Sequence, residues 1–172
     1  MNERQEFDYI VVGAGSAGCV VAARLSQDPN VRVALVEAGG PDDAPEIMMP
    51  IAFPQLFKTK YDWDFASEPE PGLGERRIYL PRGRTLGGSS AINAMIYIRG
   101  NTADFDGWVD EGATGWSYRE MLPYFIRSEC NERGDPRYHG YSGPLAVQDS
   151  QSMHLLVDHL LEAGAAFGLS LE

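Results

Sequence analysis

The chain has 172 residues, of which 44% are hydrophobic and 23% charged, a composition typical of one soluble globular domain with a packed core. Its 25 acidic and 14 basic residues give a net charge of −11, which argues against nucleic acid as a partner because phosphate binding needs clustered Lys and Arg. No run approaches the roughly 18 apolar residues of a membrane helix, and residues 1–15 lack the features of a signal peptide, so we expect a cytoplasmic protein that is at most peripheral to the inner membrane.

The first predicted elements are a β-strand, a glycine-rich turn, an α-helix and a second β-strand. The apolar run FDYIVV predicts a buried strand over 7–12, and apolar residues at helical spacing predict a helix over 16–27. DPN at 28–30 indicates a turn, and VRVALVE predicts a strand over 31–37. Together they predict a right-handed parallel βαβ unit and therefore an α/β, Rossmann-like fold.

Each glycine of GAGSAG, residues 13–18, has a physical role in such a unit. Gly13 permits the tight turn out of the strand, Gly15 lets a pyrophosphate approach the backbone, and Gly18 lets the helix pack closely on the strand. Glu37 ends the second strand, where its carboxylate can accept hydrogen bonds from ribose hydroxyls and would repel a 2′-phosphate, which disfavours NADP. The pattern predicts a dinucleotide site without separating FAD from NAD; the alternative is a glycine turn in an ordinary α/β domain.

A second glycine-rich stretch, PRGRTLGGSSAIN, follows at residues 81–93. Five arginines lie in or near it in an otherwise acidic chain: Arg76, Arg77, Arg82, Arg84 and Arg99. Glycines, hydroxyls and positive charge together favour an anion-binding turn. A simple NAD-binding domain has no use for a second such turn, whereas a long FAD molecule can be held by two, so the stretch favours FAD. The alternative is a flexible turn with solvated arginines.

The later segments predict fewer regular elements. Residues 43–77 are rich in proline and show no clear period. Residues 102–129 predict two helices separated at GATGW, with Ser117 as an N-cap. GPLAVQ predicts a strand over 143–148, and an amphipathic helix is predicted to begin within 153–172. Five aromatic residues of the two central helices are predicted to pack in the core: Trp108, Trp116, Tyr118, Tyr124 and Phe125.

The cysteine and histidine spacings indicate no metal site. Cys19 and Cys130 form neither a disulfide framework nor a zinc-ligand pattern, so we interpret them as reduced thiols. His154 and His159 are five positions apart on a predicted helix and would not share a face well. His139, in RYHGYSG, is interpreted as a structural residue.

Four segments resemble, in order and spacing, the N-terminal part of the glucose–methanol–choline (GMC) oxidoreductases: DYIVVGAGSAGCVVAARLS…VALVEAGG, PRGRTLGGSSAINAMIYIRGN, GWSYREMLPYFIRSE and YHGYSGPLAV. The resemblance extends from about residue 7 to the end of the chain. GRTLGGSSAINAMIYIRGNTADFD is similar to the signature segment of the family. Within the family, the motifs look most like those of bacterial choline dehydrogenases and of alcohol dehydrogenases that pass electrons to an acceptor.

The resemblance implies that FAD lies along both glycine turns and is held non-covalently. Ile92 occupies the position at which some alcohol oxidases of the family carry a histidine bonded to the flavin, and isoleucine cannot form that bond. Residues 1–100 would form the FAD-binding domain, with the signature loop at 81–106 and the flavin covered by 43–77, and residues 101–172 would begin the helical substrate domain.

The resemblance also implies which residues contact the cofactor, and it implies no catalytic residue and no metal ligand in this chain. The implied cofactor residues are Gly13, Gly15, Ser16, Ala17, Gly18, Glu37 and Ala38 at the adenosine end, and Arg82, Gly83, Leu86, Gly87, Gly88, Ser89, Asn93, Ala94, Met95 and Ile96 along the pyrophosphate and flavin.

The implied activity is oxidation of a primary alcohol, of choline or alkanol type, to the aldehyde by hydride transfer to the flavin. The substrate would be a small-molecule alcohol, and the sequence does not identify the electron acceptor. Family members are much longer and carry a catalytic histidine in their later part, which no histidine here matches. We therefore expect this chain to be the FAD-binding N-terminal portion of such an enzyme, inactive alone. The alternatives are a complete, non-catalytic flavin-binding module and an NAD-dependent dehydrogenase.

Overall fold

The computed structural model describes residues 5–150 and 154–169, which form two compact units. The first unit ends at Ile96 and the second begins at Tyr97, whereas the family resemblance implied a domain boundary after residue 100. No helix within the described residues is long and apolar enough to cross a membrane.

The first unit begins with a parallel βαβ arrangement, as predicted. Strand β1 (Tyr9–Val12), helix α1 (Ser16–Leu25) and strand β2 (Val33–Val36) follow in chain order, and all four residues of β1 pair with those of β2. Each element is shorter than predicted. At the start of β1, for example, the Asp8 carboxylate accepts the Arg32 N–H at 2.7 Å, so a side chain takes the donor that a longer strand would have used.

Residues 43–77, predicted to be irregular, contain much of the core of the first unit. Helix α2 (Pro45–Met48) is followed by a 3₁₀ helix at Pro50–Leu56. Each of these helices has a proline in its first turn, where the missing N–H would have had no partner in the helix. Both are too short to show a helical period, which explains why the sequence pattern missed them. The buried cluster that they form consists of Ala44, Ile47, Leu56 and Ile92.

A short hairpin follows the core segment. Strand β3 (Phe65–Ala66) pairs antiparallel with strand β4 (Tyr79–Leu80), and a 3₁₀ helix at Pro71–Leu73 lies between them. The first unit then continues into a second glycine-rich turn that ends in a 3₁₀ helix at Gly88–Ala91.

Among its described residues, the second unit contains three helices and a pair of short parallel strands. Its elements are α3 (Thr102–Asp110), α4 (Tyr118–Ser128), β5 (Glu129–Asn131), β6 (Leu145–Val147) and α5 (Leu155–Ala166). The two helices predicted within 102–129, the strand within 143–148 and the helix within 153–172 are therefore present. The prediction for the last helix also covers residues that lie outside the described ones.

Capping boxes begin both central helices, in which an N-cap side chain and the residue three positions later exchange hydrogen bonds with each other's backbone. Asn101 pairs in this way with Asp104 at α3, and Ser117 pairs with Glu120 at α4. The prediction of Ser117 as an N-cap is confirmed. His154 is the N-cap of α5, where its side chain accepts the Leu156 N–H, so it does not lie on the helix with His159.

The aromatic core of the second unit is smaller than predicted. Phe105 is buried, and its ring contacts the rings of Trp108, Tyr118 and Phe125. Trp108, Trp116 and Tyr124 are 48%, 49% and 56% exposed, so the prediction that they are core residues is wrong. Short helices bury one stripe of side chains, and Phe105 occupies the buried position of α3.

Glu129 joins the segments around β5 from a fully buried position. Its carboxylate contacts the Arg99 guanidinium at 2.5 Å and His139 Nδ1 at 3.0 Å, and it accepts the Gly140 N–H at 2.8 Å. Burial acts to raise the pKa of Glu129, but the Gly140 N–H, the Tyr97 hydroxyl and the Arg99 charge outweigh it and lower the pKa. The contact agrees with the interpretation of His139 as a structural residue.

Candidate cofactor-binding site

The two glycine-rich turns of the first unit lie against each other. A Cβ atom added to Gly88 would be 2.7 Å from the Cα of Gly15. The backbones of the two turns can therefore approach this closely only because residue 88 has no side chain. The Gly87 N–H donates to the Ala14 carbonyl at 2.8 Å, and the Ser16 and Ser90 hydroxyls are hydrogen-bonded. Residues 13–18, here the first glycine turn, and residues 83–90, the second glycine turn, therefore form one continuous surface.

The first glycine turn leaves the N-terminus of α1 open. Gly13 has a φ of 94°, a conformation that favours glycine, and a Cβ on Gly18 would overlap the Gly13 carbonyl oxygen. Gly15 is the N-cap, and no side chain caps the helix. The first N–H groups of a helix have no partner within it, so the groups beginning at Ser16 are available to an anion, which the helix dipole also favours.

Glu37, at the end of β2, is tied to the first glycine turn. One carboxylate oxygen accepts the Ala14 N–H at 2.7 Å, and the other accepts the Gly39 N–H at 2.9 Å. The Gly39 N–H is the largest influence on the carboxyl group, and the pKa of Glu37 is lowered below its ordinary value. Each oxygen has a second lone pair, so the carboxylate can hold the turn and still accept from a ligand hydroxyl.

The second glycine turn is fixed by hydrogen bonds from buried groups. Thr85 is fully buried, and its hydroxyl donates to the Gly40 carbonyl at 3.0 Å, which also accepts the Leu86 N–H at 3.0 Å. Close by, the Ser89 hydroxyl accepts the Gly83 N–H at 3.1 Å. These contacts argue against the flexible turn of the alternative interpretation, in which the arginines are solvated.

A cavity of about 760 Å³, here the glycine cleft, opens between the turns and the ends of β1 and β2. Its volume lies in the range of small-molecule and cofactor sites. Eleven of the predicted cofactor residues line it: Gly13, Gly15, Ser16, Ala17, Gly18, Glu37, Ala38, Arg82, Gly83, Gly88 and Ser89. Glycine surfaces, open helix N–H groups, an arginine and a carboxylate at one cleft are a donor and acceptor set that fits a dinucleotide.

The other predicted cofactor residues do not line the glycine cleft: Leu86, Gly87, Asn93, Ala94, Met95 and Ile96. Leu86 and Gly87 use their N–H groups to pin the second glycine turn. Residues 93–96 continue past the cleft as an irregular, exposed segment in which Met95 has a φ of 57°. Ile92 is 2% exposed and packs in the core of the first unit.

Two aromatic residues that the sequence pattern did not assign to the site form one wall of the glycine cleft. Trp63 and Phe65 line it with their rings stacked, at 5.8 Å between centroids and an interplanar angle of 7°. The Arg84 guanidinium lies over the Trp63 ring at 4.9 Å from its centroid. The alternation of aromatic and polar residues in YDWDF, at 61–65, is typical of a strand and was the available signal.

Comparison with known proteins identifies the family of this chain. The sequence profile of the GMC oxidoreductases matches residues 7–172. The chain belongs to the GMC oxidoreductase family. The α/β fold class predicted from the βαβ unit is thereby confirmed, as is the resemblance on which the site residues rest.

Individual relatives share this region at high identity. An oxygen-dependent choline dehydrogenase of Photobacterium profundum is 47% identical over 94% of this chain, and one of Brucella ovis is 46% identical over 96%. A pyridoxine 4-oxidase from Mesorbium loti superimposes with a TM-score of 0.82 at 42% identity over 94% of the chain. An FAD-dependent oxidoreductase from Chaetomium thermophilum gives 0.80 at 34% identity over 95%. The chain spans 29–32% of the length of these four proteins.

Proposed function

We propose that this chain supplies the FAD-binding part of an oxidoreductase that converts a primary alcohol, of choline or alkanol type, to the aldehyde. The cofactor is FAD, in agreement with the family and with its FAD-dependent structural neighbours. The observation that carries the proposal is the contact between Gly15 and Gly88. It joins two anion-binding turns into one surface, which suits a cofactor with a long pyrophosphate-centred chain better than it suits a single phosphate.

The residues of the glycine cleft would divide the work of binding. The open N-terminus of α1 would hold the pyrophosphate, for which a helix N-terminus supplies N–H donors and a favourable dipole. Glu37 would accept ribose hydroxyls while it holds the Ala14 and Gly39 N–H groups. Arg84 lies on the second glycine turn and Arg82 just before it. Both would add positive charge to a chain of net charge −11.

The flavin would be held without a covalent bond. The side chain at the position of the family's flavin-linked histidine is Ile92, and it packs among Ala44, Ile47 and Leu56 in the core. When bound, FAD supplies the hydride acceptor for the oxidation of a CH–OH group.

The group that removes the hydroxyl proton would come from outside this chain. Alcohol oxidation by hydride loss needs a general base near the reacting carbon, and histidine is the usual choice. Within the described residues, no histidine lines the glycine cleft. Because the chain spans about 30% of its relatives' length, we place this base in the part of the enzyme that those relatives possess in addition.

The experiment that tests the proposal compares the 172-residue chain with a longer protein, here called the full-length protein, in which the chain is followed by the part that its choline dehydrogenase relatives possess in addition. Each is reconstituted with FAD and assayed with an artificial dye acceptor over choline and a series of primary alkanols. We expect both to bind FAD and only the full-length protein to reduce the dye in an alcohol-dependent way. Alcohol-dependent turnover by the chain alone would contradict the placement of the base, and absence of FAD binding to either form would contradict the proposal itself.

A further inference from the structure

We propose that Asp62 is a positioning residue that builds the aromatic wall of the glycine cleft, formed by Trp63 and Phe65, and ties it to the second glycine turn. This inference concerns residues for which the sequence pattern gave no role, and its link to the cofactor rests on the proposed function. In this role, the buried Asp62 carboxylate sets the shape and stiffness of one side of the cofactor site.

Asp62 is 5% exposed and accepts hydrogen bonds from three directions. Its Oδ1 atom accepts the Arg82 N–H at 2.9 Å, on the approach to the second glycine turn. Its Oδ2 atom accepts the Lys58 N–H at 2.9 Å and the Tyr79 hydroxyl. A buried carboxylate is costly unless its oxygens are satisfied, and here the two oxygens join the turn at Lys58 to the segment of residues 79–82.

These hydrogen bonds fix the backbone on each side of the aromatic wall. Lys58 has a φ of 58° and Asp64 a φ of 51°, conformations that side-chain-bearing residues rarely adopt. The Trp63 N–H donates to the Arg82 carbonyl at 2.9 Å, and the Arg84 N–H donates to the Tyr61 carbonyl at 2.7 Å. The Asp62 carboxylate therefore adds to the backbone hydrogen bonds next to the hairpin and stabilises the bend between Lys58 and Asp64.

The bend determines where the aromatic rings lie. Trp63 and Phe65 flank the left-handed Asp64, and their rings stack nearly parallel on the glycine cleft. Arg84 covers the Trp63 ring and also acts on the Glu37 carboxylate, whose pKa it helps to lower. A change at Asp62 would therefore reach the cleft through rings that are 42% and 50% exposed.

The substitution that tests this role is Asp62→Asn, which keeps the size of the side chain. An asparagine has one acceptor oxygen and an NH₂ group, so it cannot accept from Lys58, Tyr79 and Arg82 together. Its NH₂ group would face either the Arg82 N–H or the donors of Lys58 and Tyr79. Asp42→Asn makes the same chemical change at an exposed aspartate. Tyr79→Phe removes one donor and leaves the bonds to Lys58 and Arg82 in place.

Two measurements follow the wall directly in the 172-residue chain, whose three tryptophans are Trp63, Trp108 and Trp116. The first is the dissociation constant of FAD by flavin fluorescence titration. The second is acrylamide quenching of Trp63 emission without FAD, in a background that carries Trp108→Phe and Trp116→Phe, two positions that are about half exposed. With Asp62→Asn we expect FAD binding to weaken by up to about tenfold, the value of one good aromatic contact, and Trp63 to be quenched more strongly. Asp42→Asn should leave the affinity within about twofold of wild type, a difference well below one such contact. Tyr79→Phe removes one of the three donors to Asp62 and should have an effect between those of Asp42→Asn and Asp62→Asn.

Ile47→Val distinguishes a general loss of stability from the positioning role of Asp62. It creates a small cavity in the core of the first unit. It should lower the unfolding temperature without changing FAD affinity or Trp63 quenching measured below the transition. If Asp62→Asn behaves like Ile47→Val, the positioning role is wrong. If wild type and Asp42→Asn both fail to bind FAD, the proposed function is wrong, and the quenching comparison still decides whether Asp62 orders the wall.

Discussion

Replacing Gly15 with alanine should remove FAD while leaving the protein folded. A Cβ atom at Gly15 would lie 3.9 Å from the Cα of Gly88, an ordinary van der Waals contact, and Gly15 has a φ of −81° that alanine adopts readily. Alanine is a poorer N-cap than glycine, which lowers stability. It also makes the unfolded chain less flexible, which stabilises the folded protein by about 0.4–1 kcal/mol. These effects oppose each other, so we expect the free energy of unfolding without FAD to change by less than about 1 kcal/mol.

The effect on binding should be much larger. The methyl group would enter the glycine cleft at the open N-terminus of α1, where the pyrophosphate would otherwise approach the backbone. Loss of one or two hydrogen bonds to a charged group costs about 1.5–3 kcal/mol each, and 1.4 kcal/mol corresponds to tenfold in affinity. The dissociation constant of FAD should therefore rise by at least about tenfold.

Gly18→Ala is the matched comparison, because its Cβ would overlap the Gly13 carbonyl oxygen rather than enter the cleft. It should destabilise the protein by about 1–3 kcal/mol, the usual cost of overpacking. The assays are urea denaturation without FAD and calorimetric titration with FAD. If Gly15→Ala binds FAD within about twofold of wild type, far less than one lost charged hydrogen bond, the pyrophosphate does not lie on the first glycine turn and the site is misplaced.

Three further predictions concern the carboxylates and the flavin. Glu37→Gln should weaken FAD binding by about tenfold through loss of a charged acceptor. Because the pKa of Glu37 is lowered, the carboxylate should contribute fully to FAD binding above the ordinary pKa of 4.5. This contribution should disappear as the pH falls through the lower pKa of the folded protein, and FAD titrations at several pH values measure the loss. Glu129→Ala should lower the free energy of unfolding by about 3–5 kcal/mol, because it leaves the Arg99 charge buried without its partner; urea denaturation measures this, and a loss below about 1 kcal/mol, the range of exposed ion pairs, would contradict it. Acid precipitation of the holoprotein should release all FAD into the supernatant because Ile92 cannot bond to it; flavin retained in the pellet would contradict non-covalent binding.

The βαβ unit and the first glycine turn were predictable because their signals are local. A four-residue strand, a turn whose glycines have separate steric tasks and an amphipathic helix are each encoded within about ten residues. The capping boxes at Ser117 and Asn101 belong to the same class, since their partners are three positions away. Only the ends of these elements were misplaced, because termini depend on which side chains take the last backbone donors, as Asp8 does for Arg32.

The aromatic wall and the core around Leu56 could not be found in this way. Trp63 and Phe65 lie in a bend whose shape depends on Asp62 reaching Arg82, 20 positions later, and no periodicity records such a contact. Leu56 and Ile92 pack together although Leu56 ends the 3₁₀ helix of the proline-rich segment and Ile92 follows the second glycine turn. In the second unit, Trp108 and Trp116 were assigned to the core from residue type alone, but aromatic side chains half exposed at a surface are common.

Ser16 and Ser90 are 74 positions apart in the chain, yet their hydroxyls meet where the two glycine turns join. The cofactor site is therefore complete only after a long loop has closed, and contacts of high sequence separation form slowly during folding. The entropic cost of such closure grows only with the logarithm of loop length, about 0.6 kcal/mol for each doubling. The segment between the turns can thus lengthen or shorten at its exposed bend near Gly74 at small thermodynamic cost, while the positions at the junction itself have almost no freedom to vary.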